Sequence, residues 1–438
     1  MNRGSLKAGI AEVELKPALG YAMGDGSPAA KGFLTPLFVK ALVLDNGASK
    51  LAVVTLDTMG IDHADANRIA AQVEQKCGIP ADAVLLTCSH THVAPSDNPT
   101  LHTYRQTFHA SFDDAAKARE KEWIDILVGS AIQAVCNAAV SCESGASIGI
   151  VEASLPWLVF NRRYTTRNFG SWTQWMGVPK DQINGVEGPI DPQFNLIVIR
   201  NRDYKPMAML WNFTGHNSFH FGDQYSADLA YTVQKALDER IGKHVPCLYL
   251  PGCSGNTNYF DYSMEFGLEK ATEGVASAIM AIYRDACTLP EIVLNAARVE
   301  LMFAQRDTTR NWWKSDIKTK LPGWDEKNYG QIEADRFQNE GKQAYRANVV
   351  ALQLGHIGLV GLPGEIFVEF GMMIKERSPF RHTCVASYSN GYAGYVATRR
   401  AFIGGSYAVW PVLNARIARD GGYLMVDKSI ELLNSFVS

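Results

Sequence analysis

The sequence predicts an α/β protein, a single large domain in which one or more mixed β-sheets are flanked by helices. Two observations lead to this fold class. First, apolar runs of strand length alternate along the chain with longer segments that repeat their apolar residues at helical spacing. Second, no internal repeat, low-complexity tract or Pro/Ser-rich linker interrupts this alternation. We therefore predict one domain over residues 1–438 with loop insertions.

The first half of the chain contains a strand–helix–strand pattern followed by a strand pair. Leu51–Asp57 and Ala83–Ser89 are continuous apolar runs typical of buried strands. Between them, Ala64–Gly78 has helical spacing and ends at a glycine, which favours a helix stop. A long helix is predicted at Ala118–Ala139. The next two strands, Phe194–Asn201 and 207–215, flank the turn-like sequence RDYKP.

The second half continues the same alternation. A helix is predicted at Ala227–Ile241, a strand at Val245–Gly252 and a further helix at Glu265–Ala286. Ala351–Glu365 predicts two short strands and a turn, and the sequence FVEFGMMIKER after it predicts a helix.

Two segments lack this alternation and are predicted to be loop insertions, namely Pro99–Lys117 and Arg306–Arg346. Aromatic residues occur in both insertions and in one further segment: Tyr104, Phe108, Trp312, Trp313 and Trp324 in the insertions, and Trp172 and Trp175 in the further segment. Such side chains can wall an apolar or sugar-binding pocket, or they can serve packing alone, and both interpretations stay open.

The composition excludes several classes of function. With 47% hydrophobic residues, a net charge of -3 and a pI of about 6.4, nothing draws the chain to nucleic acid or anionic lipid. No stretch reaches about 18 uninterrupted apolar residues, so we expect no stable membrane insertion. Eight cysteines without a C-x-x-C pair, and an N-terminus without a signal-like apolar stretch, predict reduced thiols and a cytoplasmic location.

The strongest local signal is the sequence SHTH at residues 89–92, directly after a predicted buried strand. Reactive groups in α/β proteins gather at the carboxyl ends of strands. In an extended segment His90 and His92 point the same way, which suits a divalent metal or one ligand beside one acid/base group. The alternative is a pair of surface loop histidines.

Another histidine, His216, also follows an apolar strand, in the sequence WNFTGHNSFH. His220 lies four residues on and imitates the His-x-x-x-His pair of helical zinc sites. Asn217 replaces the glutamate such sites need, and the nearby glycines Gly215 and Gly222 disfavour a helix. His216 alone is therefore the better candidate.

The remaining signals are individually weak. Glu365 follows a strand and a Pro-Gly turn, where a carboxylate can also simply complement a helix dipole. The Tyr-rich sequence SYSNGYAGYVATRRAF is typical of core packing as much as of a site. His356 lies in an apolar run and is predicted to be a satisfied core residue. Ser254 lacks the G-x-S-x-G context of a hydrolase nucleophile, and PGCSGN lacks the ending of a phosphate loop.

Taken in order, these segments resemble the neutral/alkaline (non-lysosomal) ceramidase family. The matching stretches are AGIAEVE, LFVKALVLDNG, VVTLDTMG, CSHTHVAPSD, VFNRRY, LWNFTGHNSFH with the downstream SAD, PGCSGNTN, LPGEIF and NGYAGYVATRRAF. They span nearly the whole chain, and so many motifs in the family's order are hard to obtain by chance. The resemblance implies the fold of the family's catalytic domain.

The resemblance also implies a zinc amidase. The family's metal ligands correspond to His90, His216, Glu365 and Tyr395 in this chain. Nitrogen and oxygen ligands of this kind suit zinc, which lowers the pKa of bound water towards about 7 and polarises the scissile carbonyl.

The same resemblance assigns the catalytic groups. It makes His92 an oxyanion donor or proton shuttle, Arg162 the group that neutralises developing charge, and Tyr407 a further oxyanion donor.

The sequence departs from the family in two places. Where ceramidases carry Gly-Asp-x-Ser-Pro, this chain has GNTNY at residues 255–259. The family's serine and aspartate become Asn258 and Asn256, so zinc-activated water is favoured over a serine nucleophile, and both asparagines become candidates for substrate binding. Ceramidases also continue into a C-terminal immunoglobulin-like domain and are typically secreted. The expected substrate is therefore a small or N-acylated amide, and whether ceramide itself is accepted stays open.

Three alternatives remain beside a zinc amidohydrolase. The same zinc site can cleave an ester or lactone, because both reactions pass through a tetrahedral oxyanion. A conventional serine hydrolase is a weaker alternative. The two asparagine replacements motivate a third alternative, a catalytically silent ligand-binding protein, but the intact candidates at all four metal positions argue against it. A homo-oligomer is compatible with the sequence, and no feature sets its order.

Overall fold

A computed structural model of the chain describes residues 3–21, 23, 29–95, 114–167, 170–176, 178–259, 267–304, 345–409 and 415–437. Most of both predicted insertions lies outside these residues, including all five of their aromatic side chains. The last residues of each predicted insertion are described and belong to regular elements. A helix begins at Asp114 and a strand begins at Tyr345.

Three large mixed sheets form the framework of the described residues. Elements are numbered here along the chain. Sheet 1 contains β2 (Lys7–Leu15), β4 (Leu37–Asp45), β5 (Lys50–Leu56), β6 (Val84–Cys88) and the short β7 (Glu143–Ser144). Sheet 2 contains β8 (Ser147–Ser154), β13 (Gln193–Arg200), β14 (Pro206–Phe213) and β16 (Cys247–Pro251). Sheet 3 contains β19 (Leu294–Phe303), β20 (Tyr345–Leu354), β21 (Ile357–Gly361) and β23 (His382–Ala386).

Helices complete each sheet in the same way. One helix connects the last two long strands of each sheet, in the order α1 (His63–Cys77), α3 (Leu229–Ile241) and α5 (Val368–Arg377). One longer helix follows each sheet's last long strand along the chain, in the order α2 (Asp114–Val140), α4 (Leu268–Ile282) and α7 (Gly421–Ser435). The short α6 (Arg399–Gly404) precedes α7.

The three sheets share one connectivity. In each, the first three long strands are antiparallel neighbours, and the fourth is parallel to the third across the connecting helix. Each therefore ends in a strand–helix–strand unit, whose parallel strands leave their carboxyl ends on one side. The sequence shows no repeat, so this threefold repetition is visible only in the structure.

Small sheets connect the loops around this framework. They are β1 (Gly4–Ser5) with β18 (Glu291–Ile292), β3 (Gly32–Phe33) with β15 (Gln224–Tyr225), β9 (Phe160–Asn161) with β17 (Thr257–Asn258), β22 (Glu365–Ile366) with β24 (Tyr395–Val396), and the three-stranded β10 (Arg163–Thr166), β11 (Ser171–Thr173) and β12 (Ile183–Val186).

The connecting helix α1 illustrates how local sequence sets an element. The Asp62 side chain accepts a hydrogen bond from the backbone N–H of Ala64 and caps the first turn. The buried residues are spaced by three and four positions: Ala66, Ile69, Ala70 and Val73. Gly78 ends the helix in the left-handed region (φ +66°), where glycine is favoured. The predicted helix at 64–78 is thus confirmed within one residue.

Helix α2 contains the segment Ala118–Val140, which is long and apolar enough to cross a membrane by length and composition alone. Its buried side chains, Trp123, Leu127 and Val135 among them, belong to the same apolar cluster as sheet 1. Core helices pass the same length and composition test, and this packing is what a core helix requires.

The predicted α/β class with mixed sheets is confirmed, and most predicted elements occur within a few residues of their expected bounds. The largest difference is at β20, which begins at Tyr345 rather than Ala351. All eight cysteines are free thiols. Four are buried, whereas Cys287 is exposed, so not every thiol lies in the core as the sequence led us to expect.

Candidate metal centre

The site lies where the carboxyl ends of the parallel strands of the three sheets meet. His90 follows β6 of sheet 1, His216 follows β14 of sheet 2, and Glu365 follows β21 of sheet 3. The ends of sheets 2 and 3 are joined directly, since the backbone N–H of Ser387 donates to the carbonyl of Pro251 at 2.8 Å. Each sheet thus contributes at least one side chain to a common centre, as expected for strand carboxyl ends.

The backbone at His90 is bent rather than extended. Its φ of +60° is a left-handed conformation that a non-glycine residue adopts only at an energetic cost. Its N–H donates to the carbonyl of Thr58 at 3.1 Å, and its ring Nδ1 lies 2.7 Å from the carbonyl oxygen of Met59. The prediction that an extended SHTH segment aligns two imidazoles is therefore wrong about the backbone, although both rings reach the centre.

Three imidazole nitrogens converge in this centre. The Nε2 atom of His216 lies 3.2 Å from Nε2 of His90 and 3.1 Å from Nε2 of His92. His90 and His216 are buried, whereas His92 is partly exposed. Among the described residues these three side chains form the group of His, Cys, Asp or Glu that can hold a metal ion.

Carbonyl contacts assign the protonation of the two buried rings. A carbonyl oxygen can only accept, so Nδ1 of His90 donates to Met59 and Nδ1 of His216 donates to Ser254 at 3.3 Å. Burial lowers the pKa of both rings well below its usual range, so both are neutral. Their Nε2 atoms therefore face each other as two lone pairs, an arrangement that a cation satisfies.

The carboxylate of Glu365 points at the same centre. Its Oε1 accepts a hydrogen bond from the hydroxyl of Tyr392. Its Oε2 lies 3.7 Å from Nε2 of His90 and has no hydrogen-bond partner in the described part of the chain. Burial raises the pKa of this carboxyl group. An unpartnered buried carboxylate oxygen is costly, and a bound cation removes that cost.

These residues fit a zinc ion. Ligand atoms at about 2.0–2.1 Å from tetrahedral zinc lie about 3.3 Å from one another, close to the separations observed here. His90, His216 and Glu365 supply nitrogen and oxygen donors from the predicted ligand set. His92, predicted to act in catalysis, lies as close to His216 as His90 does. The ligand roles of all four predicted residues stay predictions, including that of Tyr395.

Arg162 is held rigidly beside Tyr395. Its Nη2 donates to the Tyr395 hydroxyl at 2.8 Å and to the carbonyl of Gly255 at 2.9 Å, and its Nη1 donates to Oδ1 of Asn258 at 3.3 Å. Gly255 packs so closely on the backbone of Glu365 that any side chain there would collide with it. A fixed positive charge therefore lies next to the metal centre.

The two asparagines take different positions. Asn258 faces the guanidinium group of Arg162. Asn256 instead supports α5, since its Oδ1 accepts from the backbone N–H of Val368 at 2.8 Å and its Nδ2 donates to Glu369 at 2.9 Å. Both side-chain atoms of Asn256 thus serve the framework, and substrate binding by either asparagine stays a prediction.

Tyr407 lies at the outer edge of the site. Its ring meets the Tyr395 ring edge-on with centroids 5.6 Å apart, and the Trp175 ring at 4.6 Å. Tyr407 is half-buried, and Trp175 is exposed. The structure thus brings all nine predicted site residues into one region.

Sequence reasoning gave no role to two tyrosines that contact the site. Tyr388 stacks on the His90 ring with centroids 3.8 Å apart and an interplanar angle of 11°, and its hydroxyl lies 2.9 Å from Oγ of Ser254. Tyr392 holds the carboxylate of Glu365. The only signal available was the density of tyrosines in one segment, which is equally typical of core packing.

Two other histidines take no part in the centre. His220 does not join it, because its Nδ1 pairs with the carboxylate of Asp228 at 2.6 Å. The prediction of a buried His356 is wrong. The apolar runs around it belong to β20 and β21, and His356 is exposed in the turn between them, next to Gly355 in the left-handed region (φ +67°).

Comparisons with known proteins identify the fold. No protein-family model matches this sequence, and no curated protein matches it. The neutral ceramidase from Pseudomonas aeruginosa is similar with a TM-score of 0.69 and 15% identity, covering 99% of this chain and 74% of that chain. A ceramidase complexed with C2 is similar with a TM-score of 0.68 and 14% identity, covering 99% and 75%. The chain therefore has a neutral-ceramidase-like fold.

Proposed function

From the fold that this chain shares with neutral ceramidases, we propose that it is a zinc-dependent amidohydrolase. It cleaves the C–N bond of a small or N-acylated amide with metal-activated water. The observation that carries the proposal is the centre itself. Two lone-pair nitrogens face each other at 3.2 Å, and an unpartnered carboxylate oxygen lies 3.7 Å from one of them.

The ligand set would be His90, His216 and Glu365, with Tyr395 beside them. A bound zinc ion would lower the pKa of a water molecule and polarise the carbonyl group of the substrate. The side chains must therefore stabilise the negative charge that develops on the substrate oxygen and deliver a proton to the leaving amine.

Arg162 suits the first task. Its guanidinium group is buried and is fixed by the Tyr395 hydroxyl and a backbone carbonyl, so it needs no reorganisation as charge develops. His92 suits the second task, because it is partly exposed at the edge of the centre and can exchange a proton with solvent. In the overall reaction water adds OH to the carbonyl carbon, the C–N bond breaks, and the amine takes the proton.

A serine hydrolase is less well supported. A serine nucleophile needs a general base at its hydroxyl. The hydroxyl of Ser254 is fully buried and pairs with the phenol of Tyr388, while His216 faces the carbonyl of Ser254 rather than its side chain. Esters and lactones remain alternative substrates on the same zinc site.

The proposal is tested by metal content and by amine release. Elemental mass spectrometry of the purified protein should give about one zinc per chain. Zinc-loaded protein should release amine from simple N-acyl amides, and this activity should disappear with a chelator and return with zinc. Ester and lactone substrates are then compared with the amides. Protein that stays free of metal after incubation with zinc would exclude this function and favour a silent binding protein.

A further inference from the structure

Three aromatic rings lie in succession from the buried centre to the surface. The Tyr395 ring, beside Arg162, is buried, the Tyr407 ring is half-buried, and Trp175 is 43% exposed. Neighbouring rings meet edge-on, with centroids 5.6 Å apart between the two tyrosines and 4.6 Å apart between Tyr407 and Trp175. We call Tyr395, Tyr407 and Trp175 the aromatic ladder.

The middle of the ladder is held in place by polar contacts. The N–H of Thr173 donates to Oγ of Ser406 at 3.1 Å, which ties β11 to the residue before Tyr407. Nη2 of Arg163 donates to the carbonyl of Gly405 at 2.9 Å. The backbones that carry Trp175 and Tyr407 are therefore linked directly to one another.

The Arg163 side chain is fixed in turn by a buried ion pair. Its Nε donates to the carboxylate of Glu187, which also accepts from the hydroxyl of Ser171 at 2.8 Å. Arg163 is the first residue of β10 and Glu187 directly follows β12, so this pair lies at the edge of the small sheet that contains β10, β11 and β12. The exposed ring of Trp175 thus has a rigid support, although large apolar side chains normally avoid water.

We propose that the aromatic ladder binds an aromatic ring of the substrate, so that the preferred substrate is an amide bearing a phenyl-like group. Aromatic rings attract one another beyond the effect of buried area when their centroids are about 4.5–7 Å apart, the spacing already present within the ladder. Trp175 has the most exposed ring of the ladder, so the aromatic ring of a ligand would meet Trp175 first. This inference rests on the proposed function and specifies its substrate class.

The competing explanation is a purely apolar surface, which would bind an alkyl group equally well. A matched pair of probes separates the two. Phenylacetamide and cyclohexylacetamide share one carbon skeleton, but only the first has an aromatic ring. Buried apolar area alone predicts that the cyclohexyl compound binds at least as tightly. Attraction between aromatic rings predicts the reverse order.

The experiment measures the dissociation constants of both probes by ligand-observed NMR on the full chain, first with chelator present and then with zinc. Wild-type protein is compared with Trp175→Leu, which keeps an apolar side chain at this position. The control is Trp157→Leu. Trp157 is also exposed, at 52%, but its ring packs against Gly274 of α4.

Wild-type protein should bind phenylacetamide about 2- to 12-fold more tightly than cyclohexylacetamide. The preference should vanish in Trp175→Leu and persist in Trp157→Leu. Equal binding of the two probes, tighter binding of the cyclohexyl compound, or no binding of either to wild-type protein would overturn the inference. If wild-type protein shows the phenyl preference but takes up no zinc when incubated with it, the proposed function fails while the inference about the bound ring stands.

Discussion

Replacing Glu365 by glutamine should weaken zinc binding while leaving the fold intact. The amide keeps the size of the side chain and its contact with Tyr392, but it removes the buried negative charge beside His90. The apparent free energy of zinc binding to structural sites in zinc-finger peptides is about 10–16 kcal/mol. Divided equally among four ligands, this gives about 2.5–4 kcal/mol for one ligand. Zinc affinity should therefore fall about 100- to 1000-fold.

This loss has a measurable effect on stability. At a free zinc concentration of 100 times the wild-type dissociation constant, zinc stabilises the folded protein by about 2.7 kcal/mol. A 100-fold weaker site keeps only about 0.4 kcal/mol of that stabilisation at the same concentration. Thermal unfolding with and without zinc, together with elemental mass spectrometry, measures both quantities. Without metal, the variant should unfold near the wild-type temperature, because the loss of the unpartnered carboxylate oxygen is offset by the loss of the negative charge that faces the buried Arg162.

The chain offers a matched control in Glu369→Gln. Glu369 is also a largely buried carboxylate with a pKa raised by burial, but it pairs with Asn256 rather than facing the histidines. This variant should bind zinc like the wild type. The reasoning is refuted if Glu365→Gln keeps wild-type zinc affinity, or if Glu369→Gln loses zinc to the same extent.

Three further outcomes follow from the same geometry. Arg162→Met should lower the rate of amine release about 100- to 1000-fold at unchanged zinc content, and an unchanged rate would contradict its role. Tyr388→Leu removes the ring stacked on His90 and should weaken zinc binding, measured by competition with a chelator, about 10- to 100-fold. Tyr388→Phe keeps the ring and should have a smaller effect. Equal losses in the two variants would show that the stacked ring does not contribute to zinc affinity. Burial raises the pKa of Asp57 from 3.8 to about 6, so its proton stabilises the folded state most below about pH 3.8, and this stabilisation disappears as the pH rises through about 6. Urea unfolding measures the free energy of unfolding between about pH 4 and pH 7. Asp57→Asn should reduce the fall of this free energy with rising pH, and an unchanged fall would argue against a raised pKa of Asp57.

Local patterns predicted the elements well because helices and strands depend on periodicity within a short window. The residues of α1 carry their own cap, spacing and glycine stop, so its bounds could be predicted within one residue. The same reasoning failed at His356. Two short strands and a turn were predicted for this segment, but His356 was placed in an apolar strand, whereas it lies in the turn between β20 and β21.

The candidate site was predicted residue by residue, but its geometry was not. His90 and His216 are separated by 126 positions in the chain, and no local pattern fixes the distance between their rings. The left-handed backbone at His90 depends on contacts with Thr58 and Met59 from the preceding strand end. The proximity of His92 to His216 likewise became visible only after the three sheets were assembled.

The sequence by itself determined the fold class, the order of the elements and the chemical types available for a site. Only the tertiary structure decided that three sheets of equal connectivity direct their strand ends to one centre. It also decided that Tyr388 supports His90, and that an aromatic ladder leads outward from Tyr395. The physical reason is that these contacts join residues distant in the chain, whose packing depends on all three sheets together, whereas helices and strands depend on near neighbours.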